Sequence, residues 1–219
     1  MSLKEGNLMK KILLIGDSIR KGYDKYVKIA FEDVANVYYP QDNCRFAANV
    51  TRDLIWWKEY HKIPDDIDLV HWNAGLWDDL ILLDGERLTP LPVYSYYIER
   101  ICKMISLLFL KAKVIFATST FVIERLFVDN KRYNADTRTY NAAAVEIVKK
   151  YGAEINDLYS VTENMPESYF SDMSHPYTKE GTRLLTEKVV SAIEKALDIR
   201  GKVLDYDTLF EEQKNILGN

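Results

Sequence analysis

"KILLIGDSIRKGY", residues 11–23, decides the fold. Ile12 to Ile15 form an unbroken apolar run that stops at Gly16-Asp17-Ser18. An apolar run without alternation, closed by glycine, is the pattern of a strand buried on both faces. Glycine and aspartate already suffice for a turn. Ser18 is therefore either a third turn residue or a hydroxyl presented for chemistry.

The same punctuation recurs along the chain. "VANVYYP" (34–40), "DIDLVHWNAG" (66–75), "KVIFATST" (113–120) and "AEINDLY" (153–159) read as further strands. Between them lie helical stretches at 51–62, 93–112, 135–152 and 177–197, with Asp136 as an expected N-cap and Gly152 as a C′ residue. Apolar strands alternating with helices predict an α/β chain: a three-layer α/β/α, flavodoxin-like sandwich of about five parallel strands. No repeat or Pro/Gly-rich linker interrupts it. Residues 1–9 read as a tag or disordered N-terminus, 10–199 as one domain, and 200–219 as a helical extension docked on it.

The chain has 219 residues, 47% hydrophobic and 28% charged, with a net charge of -4. This is a globular balance without the basic excess of a nucleic-acid surface, so no nucleic-acid partner is expected. The N-terminus has no long apolar segment, and no membrane partner is expected; a cytoplasmic location follows. Cys44 and Cys102 have neither CxxC spacing nor neighbouring histidines, so no metal site is expected. No GxGxxG or GxxxxGK[ST] fingerprint supports a nucleotide or other cofactor.

In open parallel sheets, ligands sit beyond the carboxyl ends of the strands. That rim comprises residues 16–18, 43–49, 75–78 and 119–120. Ser18 needs a base. Of three histidines, His61 ends a charged helix and reads as solvated, and His71 lies inside a strand and reads as core. His175, in "FSDMSHPYTKEG" (170–181), precedes the last helix. Asp172, three positions earlier, is spaced to orient its ring. Arg20 and Arg45 read as solvated rim residues, Asp17 as a turn residue and Asp78 as an acid bracing the loops.

"GDSI" (16–19) with "DMSHP" (172–176) resembles the SGNH, or GDSL-type, hydrolases over roughly residues 10 to 195. The resemblance implies Ser18 as nucleophile, His175 as general base and acid, and Asp172 as orienting acid. It also implies no cofactor and a small-molecule ester substrate. The family's Gly-x-Asn-Asp block falls on Gly75-Leu76-Trp77-Asp78, which puts Trp77 where an oxyanion-binding asparagine is expected. Asn73 and the Trp77 indole N–H compete for that role. The family's second glycine block falls on "DNCRFAANVTRDL" (42–54), where the Ala48 and Cys44 backbone amides compete. Trp72, Trp77, Tyr23 and Tyr177 cluster near these segments and favour a carbohydrate acetyl ester; a longer acyl chain and a non-catalytic binding module are the alternatives.

Overall fold

The computed structural model describes residues 9–217, with side chains through 211. The expectation for residues 1–9 lies, apart from Met9, outside the described residues. Five strands form one sheet in the order β2-β1-β3-β4-β5. They are β1 (Lys10–Ile15), β2 (Ala35–Tyr38), β3 (Leu69–Trp72), β4 (Lys113–Ala117) and β5 (Glu154–Asn156), and every pairing is parallel. This is the α/β, flavodoxin-like architecture expected from the sequence.

β1 shows why the apolar run does not alternate. Leu13 and Ile15 face a core built with α2 (Ala47–Tyr60), α3 (Leu91–Leu108) and α4 (Asn134–Lys150). Ile12 and Leu14 face the opposite core, built with α1 (Ser18–Ala30), α5 (Leu158–Glu163) and α6 (Lys179–Leu197). All four are at most 1% exposed. Each such burial contributes about 1.5–3 kcal/mol. The register Ile15↔Trp72 and Trp72↔Phe116 aligns the strand ends, so the turns after β1, β3 and β4 share one edge.

Several boundaries differ from the sequence reading. α2 begins at Ala47 rather than Thr51, because the Asp78 carboxylate, distant in sequence, accepts the Ala47 N–H at 3.0 Å. In α4, Tyr133 is the N-cap residue; Asp136 sits inside the first turn and pairs with Arg87 at 2.6 Å. Gly152 follows that helix at φ +76°, the left-handed turn that glycine tolerates best. The segment expected as a strand to Tyr159 ends at Asn156, since Asp157 accepts the Ser160 N–H at 3.1 Å and starts α5. The last helix, α7 (Tyr206–Leu217), stacks Phe210 on Tyr26 of α1 at 5.7 Å. No described helix is long and apolar enough to cross a membrane.

Candidate active site

The β1–α1 turn is built so that the chain can leave the sheet and start a helix at once. Gly16 is there because a Cβ would stand 2.0 Å from Asn73 Oδ1 and 2.7 Å from Arg20 Cβ. Asp17 caps α1 by accepting the Ile19 N–H at 3.0 Å. Ser18 is thus the first residue of the helix, and its own N–H has no intrahelical acceptor. Buried at 0% exposure, Asp17 has its carboxyl pKa pushed up by desolvation, which hydrogen bonding to Asn73 and Ile19 only partly offsets.

The loop before α6 delivers the partner. His175 Nε2 lies 2.8 Å from Ser18 Oγ, although 157 residues separate them. His175 Nδ1 lies 2.7 Å from Asp172 Oδ2. A carboxylate only accepts, so Nδ1 carries the proton and Nε2 is left to take the one from Ser18. Asp172 also accepts the N–H groups of Ser174 at 2.8 Å and His175 at 2.9 Å. Burial opposes its charge, but these bonds outweigh it and hold the carboxyl pKa below the usual value. Tyr177 locks the two loops further: its hydroxyl donates to the Ser18 carbonyl, and its ring lies so close to Gly22 that a Cβ there would stand 2.3 Å from it.

The other sequence-derived residues separate into two groups. Asn73 is 2% exposed, its N–H donates to Ile15 O, and its side chain stands over Gly16 beside Asp17. Gly75 adopts φ +149° with Ser119 Oγ 2.6 Å from where its Cβ would be. Trp77 is half-buried in the turn that follows. Cys44 is fully buried and its N–H donates to Gly16 O at 3.1 Å, which corrects the expectation that this amide is free at the rim. Ala48 lies in the first turn of α2, where N–H groups have no helical acceptor.

Arg20 is also corrected, from solvated rim to 0% exposed. It donates to the Gly16 carbonyl at 3.3 Å, to the Asp42 carbonyl at 2.5 Å, and to Asp24 one turn on. It therefore ties the β1–α1 turn to the β2–α2 loop. The Arg-x-x-x-Asp spacing in α1 was the signal for it. Trp72 and Tyr23 are core residues, fully buried, so they do not line the rim. His71 is core as expected, its Nε2 accepting from the Asn156 amide at 3.1 Å, with burial lowering its pKa to about 4. His61 is half-buried at the end of α2, edge-on to Tyr60, rather than solvated.

Asp78 and Asp79 brace the rim from below. Asp78 accepts the Ala47 N–H; Asp79 accepts from the Thr137 hydroxyl at 2.6 Å. Desolvation raises both to about 7. A carboxyl raised in the folded state binds more protons there than in the unfolded chain, so it costs stability as pH rises from about 4 to 7. Burial of neutral His71 has the opposite sign below its unfolded value. Asp78→Asn is expected to remove its share of that loss. Its difference in unfolding free energy from the wild type should shift in the variant's favour between pH 4 and 8, in urea titrations. A difference that stays constant with pH would show that Asp78 is not held protonated.

No protein-family model matches the sequence, and no curated protein matches it. Solved structures do. The chain is similar to the lipase/acylhydrolase from Enterococcus faecalis, with 21% identity, a TM-score of 0.67, and coverage of 90% of this chain and 100% of that one. It is similar to the acetyl xylan esterase AlAXEase, with 15% identity, a TM-score of 0.66, and coverage of 84% and 99%. A GDSL-like lipase from Bacteroides thetaiotaomicron gives 18% identity, a TM-score of 0.66, and coverage of 85% and 89%. With TM-scores of 0.66–0.67 over 84–90% of its length, the chain has the α/β fold of these lipases and esterases, the fold that the resemblance to the SGNH (GDSL-type) hydrolases implies.

Proposed function

We propose that this protein is an SGNH-type serine esterase that removes a small acyl group, of the acetyl type, from a carbohydrate or other small ester through an acyl-enzyme. The observation that carries the reading is the unbroken chain Ser18 Oγ, His175 Nε2, His175 Nδ1, Asp172, with contacts of 2.8 and 2.7 Å. Acetyl xylan esterases among the structural neighbours favour the acetyl and carbohydrate part of it.

The proposed chemistry starts from that chain of contacts. His175 Nε2 takes the Ser18 proton as Oγ attacks the ester carbonyl, and Asp172 stabilises the imidazolium that forms. In this reading the tetrahedral oxyanion is received by the Ser18 N–H and the Ala48 N–H at the starts of α1 and α2, with the Asn73 amide and the Trp77 indole N–H competing as the side-chain donor. Each such donor is worth about 3–4 kcal/mol of barrier. As the intermediate collapses, His175 returns the proton to the leaving alkoxide oxygen. Water then attacks the acyl-enzyme while His175 takes its proton, and as the Oγ–acyl bond breaks His175 returns that proton to Ser18 Oγ, releasing the acid.

The test is a p-nitrophenyl ester series from acetate to decanoate, with a fluorophosphonate probe. Stoichiometric labelling at Ser18 and a kcat/KM that falls as the acyl chain lengthens are expected. Rates that rise with chain length would replace the acetyl assignment by a lipase or thioesterase. A folded protein that neither labels nor hydrolyses would make the chain a binding module.

A further inference from the structure

Beside the β2–α2 loop lies a cleft of about 420 Å³, within the size range of small-molecule sites. We infer that it is a carbohydrate subsite, which holds the sugar residues flanking the acylated one; this deepens the esterase reading and rests on it.

The cleft adjoins the chemistry through its wall. Asp42 and Asn43 line it, and the Asp42 carbonyl is held by Arg20, which also holds the Gly16 carbonyl two residues before Ser18. The Cys44 N–H donates to the same Gly16 carbonyl. Arg45, at φ +55°, turns the chain so that α2 starts just beyond it. From there the floor runs along one side of α2, where Asn49, Arg52, Asp53 and Trp56 follow one another at helical spacing.

The lining selects the ligand class. It holds two aspartates, two arginines, two asparagines and two tryptophans. Arg52 and Asp53 pair at 2.6 Å, and Asn49 donates to Asp53 at 3.0 Å. The charges balance, which disfavours a phosphorylated or otherwise anionic ligand. The density of fixed donors and acceptors disfavours an acyl chain. Trp56 is 49% exposed and is stiffened by stacking on Tyr60, with ring centroids 4.8 Å apart at 13°. A rigid indole beside charge-balanced hydrogen-bonding groups fits a sugar ring, with its apolar C–H face against the aromatic surface and its hydroxyls toward the amides and the paired charges. Trp56 and Tyr60 are exposed and belong to no core cluster, unlike Leu54 and Trp57 on the same helix.

The experiment compares two esters and one non-ester. Trp56→Ala and Trp56→Phe are assayed on p-nitrophenyl acetate and on acetylated xylotetraose, and xylotetraose binding to Ser18→Ala is measured with and without Trp56→Ala. Trp56→Ala should leave p-nitrophenyl acetate hydrolysis unchanged and raise KM for acetylated xylotetraose roughly 3- to 10-fold, with kcat little altered. Trp56→Phe should recover part of the loss, and xylotetraose binding should weaken by the same factor. Wild-type kinetics of Trp56→Ala on both esters would overturn the subsite and leave the esterase intact. Equal losses on both esters without recovery in Trp56→Phe would also overturn it. If the wild type hydrolyses neither ester, the esterase reading fails; xylotetraose binding, which needs no chemistry, then decides the cleft by itself.

Discussion

Ser18→Ala is expected to lower kcat for p-nitrophenyl acetate by about 10⁴-fold or more, leaving only the residual catalysis that oxyanion donors and binding provide. Labelling by fluorophosphonate should vanish with it. The substitution removes one half-buried hydroxyl at a helix start that Asp17 caps, so the fold should survive, and circular dichroism should match the wild type. His175→Ala should cost a similar factor, because the two groups act as one unit and their losses do not add. Asp172→Asn should cost about 10²–10⁴-fold. An amide in that place would present a donor to Nδ1 and disturb the tautomer, although the carboxylate is 42% exposed and solvent softens the effect. Hydrolysis at wild-type rate by the Ser18→Ala protein would place the nucleophile elsewhere and dissolve the whole assignment.

The framework of this site was legible because its physics is local. A buried parallel strand needs an apolar run, and the turn after it needs glycine and a capping acid, so residues 11–18 announce both the sheet and the position of the serine. Asp172 and His175 are three residues apart and orient each other within one loop. What the sequence concealed depends on partners far along the chain. α2 starts four residues earlier than its amphipathic pattern because Asp78 supplies the missing acceptor from 31 residues away. The Cys44 and Ala48 amides looked equivalent until the loop closed on Gly16 O and used one of them. The phase of α2, by contrast, is local: it puts Leu54 and Trp57 on one side, and Trp57 is core while Trp56 is exposed.

Arg20 gives the largest stability effect expected outside the apolar core. Arg20→Ala removes a fully buried cation that meets Asp24 and the Gly16 and Asp42 carbonyls. Asp24 is 7% exposed, and burial already raises its carboxyl pKa against the pull of Arg20. Breaking a buried pair on one side typically costs about 3–5 kcal/mol, because the remaining charge has no counterpart. The Asp42 and Gly16 carbonyls also lose the Arg20 donor, and Gly16 keeps the Cys44 N–H. The double variant Arg20→Met/Asp24→Leu should be more stable than Arg20→Ala, since it leaves no buried charge behind. The pH dependence separates this mechanism from simple loss of packing. With Arg20 gone, the Asp24 carboxyl rises further, and a raised carboxyl contributes stability that is lost as pH increases through the folded value. The penalty of Arg20→Ala should therefore shrink toward pH 4 and be greatest above neutrality, in guanidinium titrations. Ester hydrolysis should fall too, through kcat, because the loop that carries Ala48 is no longer tied to the turn that carries Ser18. A penalty below about 1 kcal/mol that does not vary with pH would mean that the bond from the Cys44 N–H to the Gly16 carbonyl holds these loops together without the guanidinium.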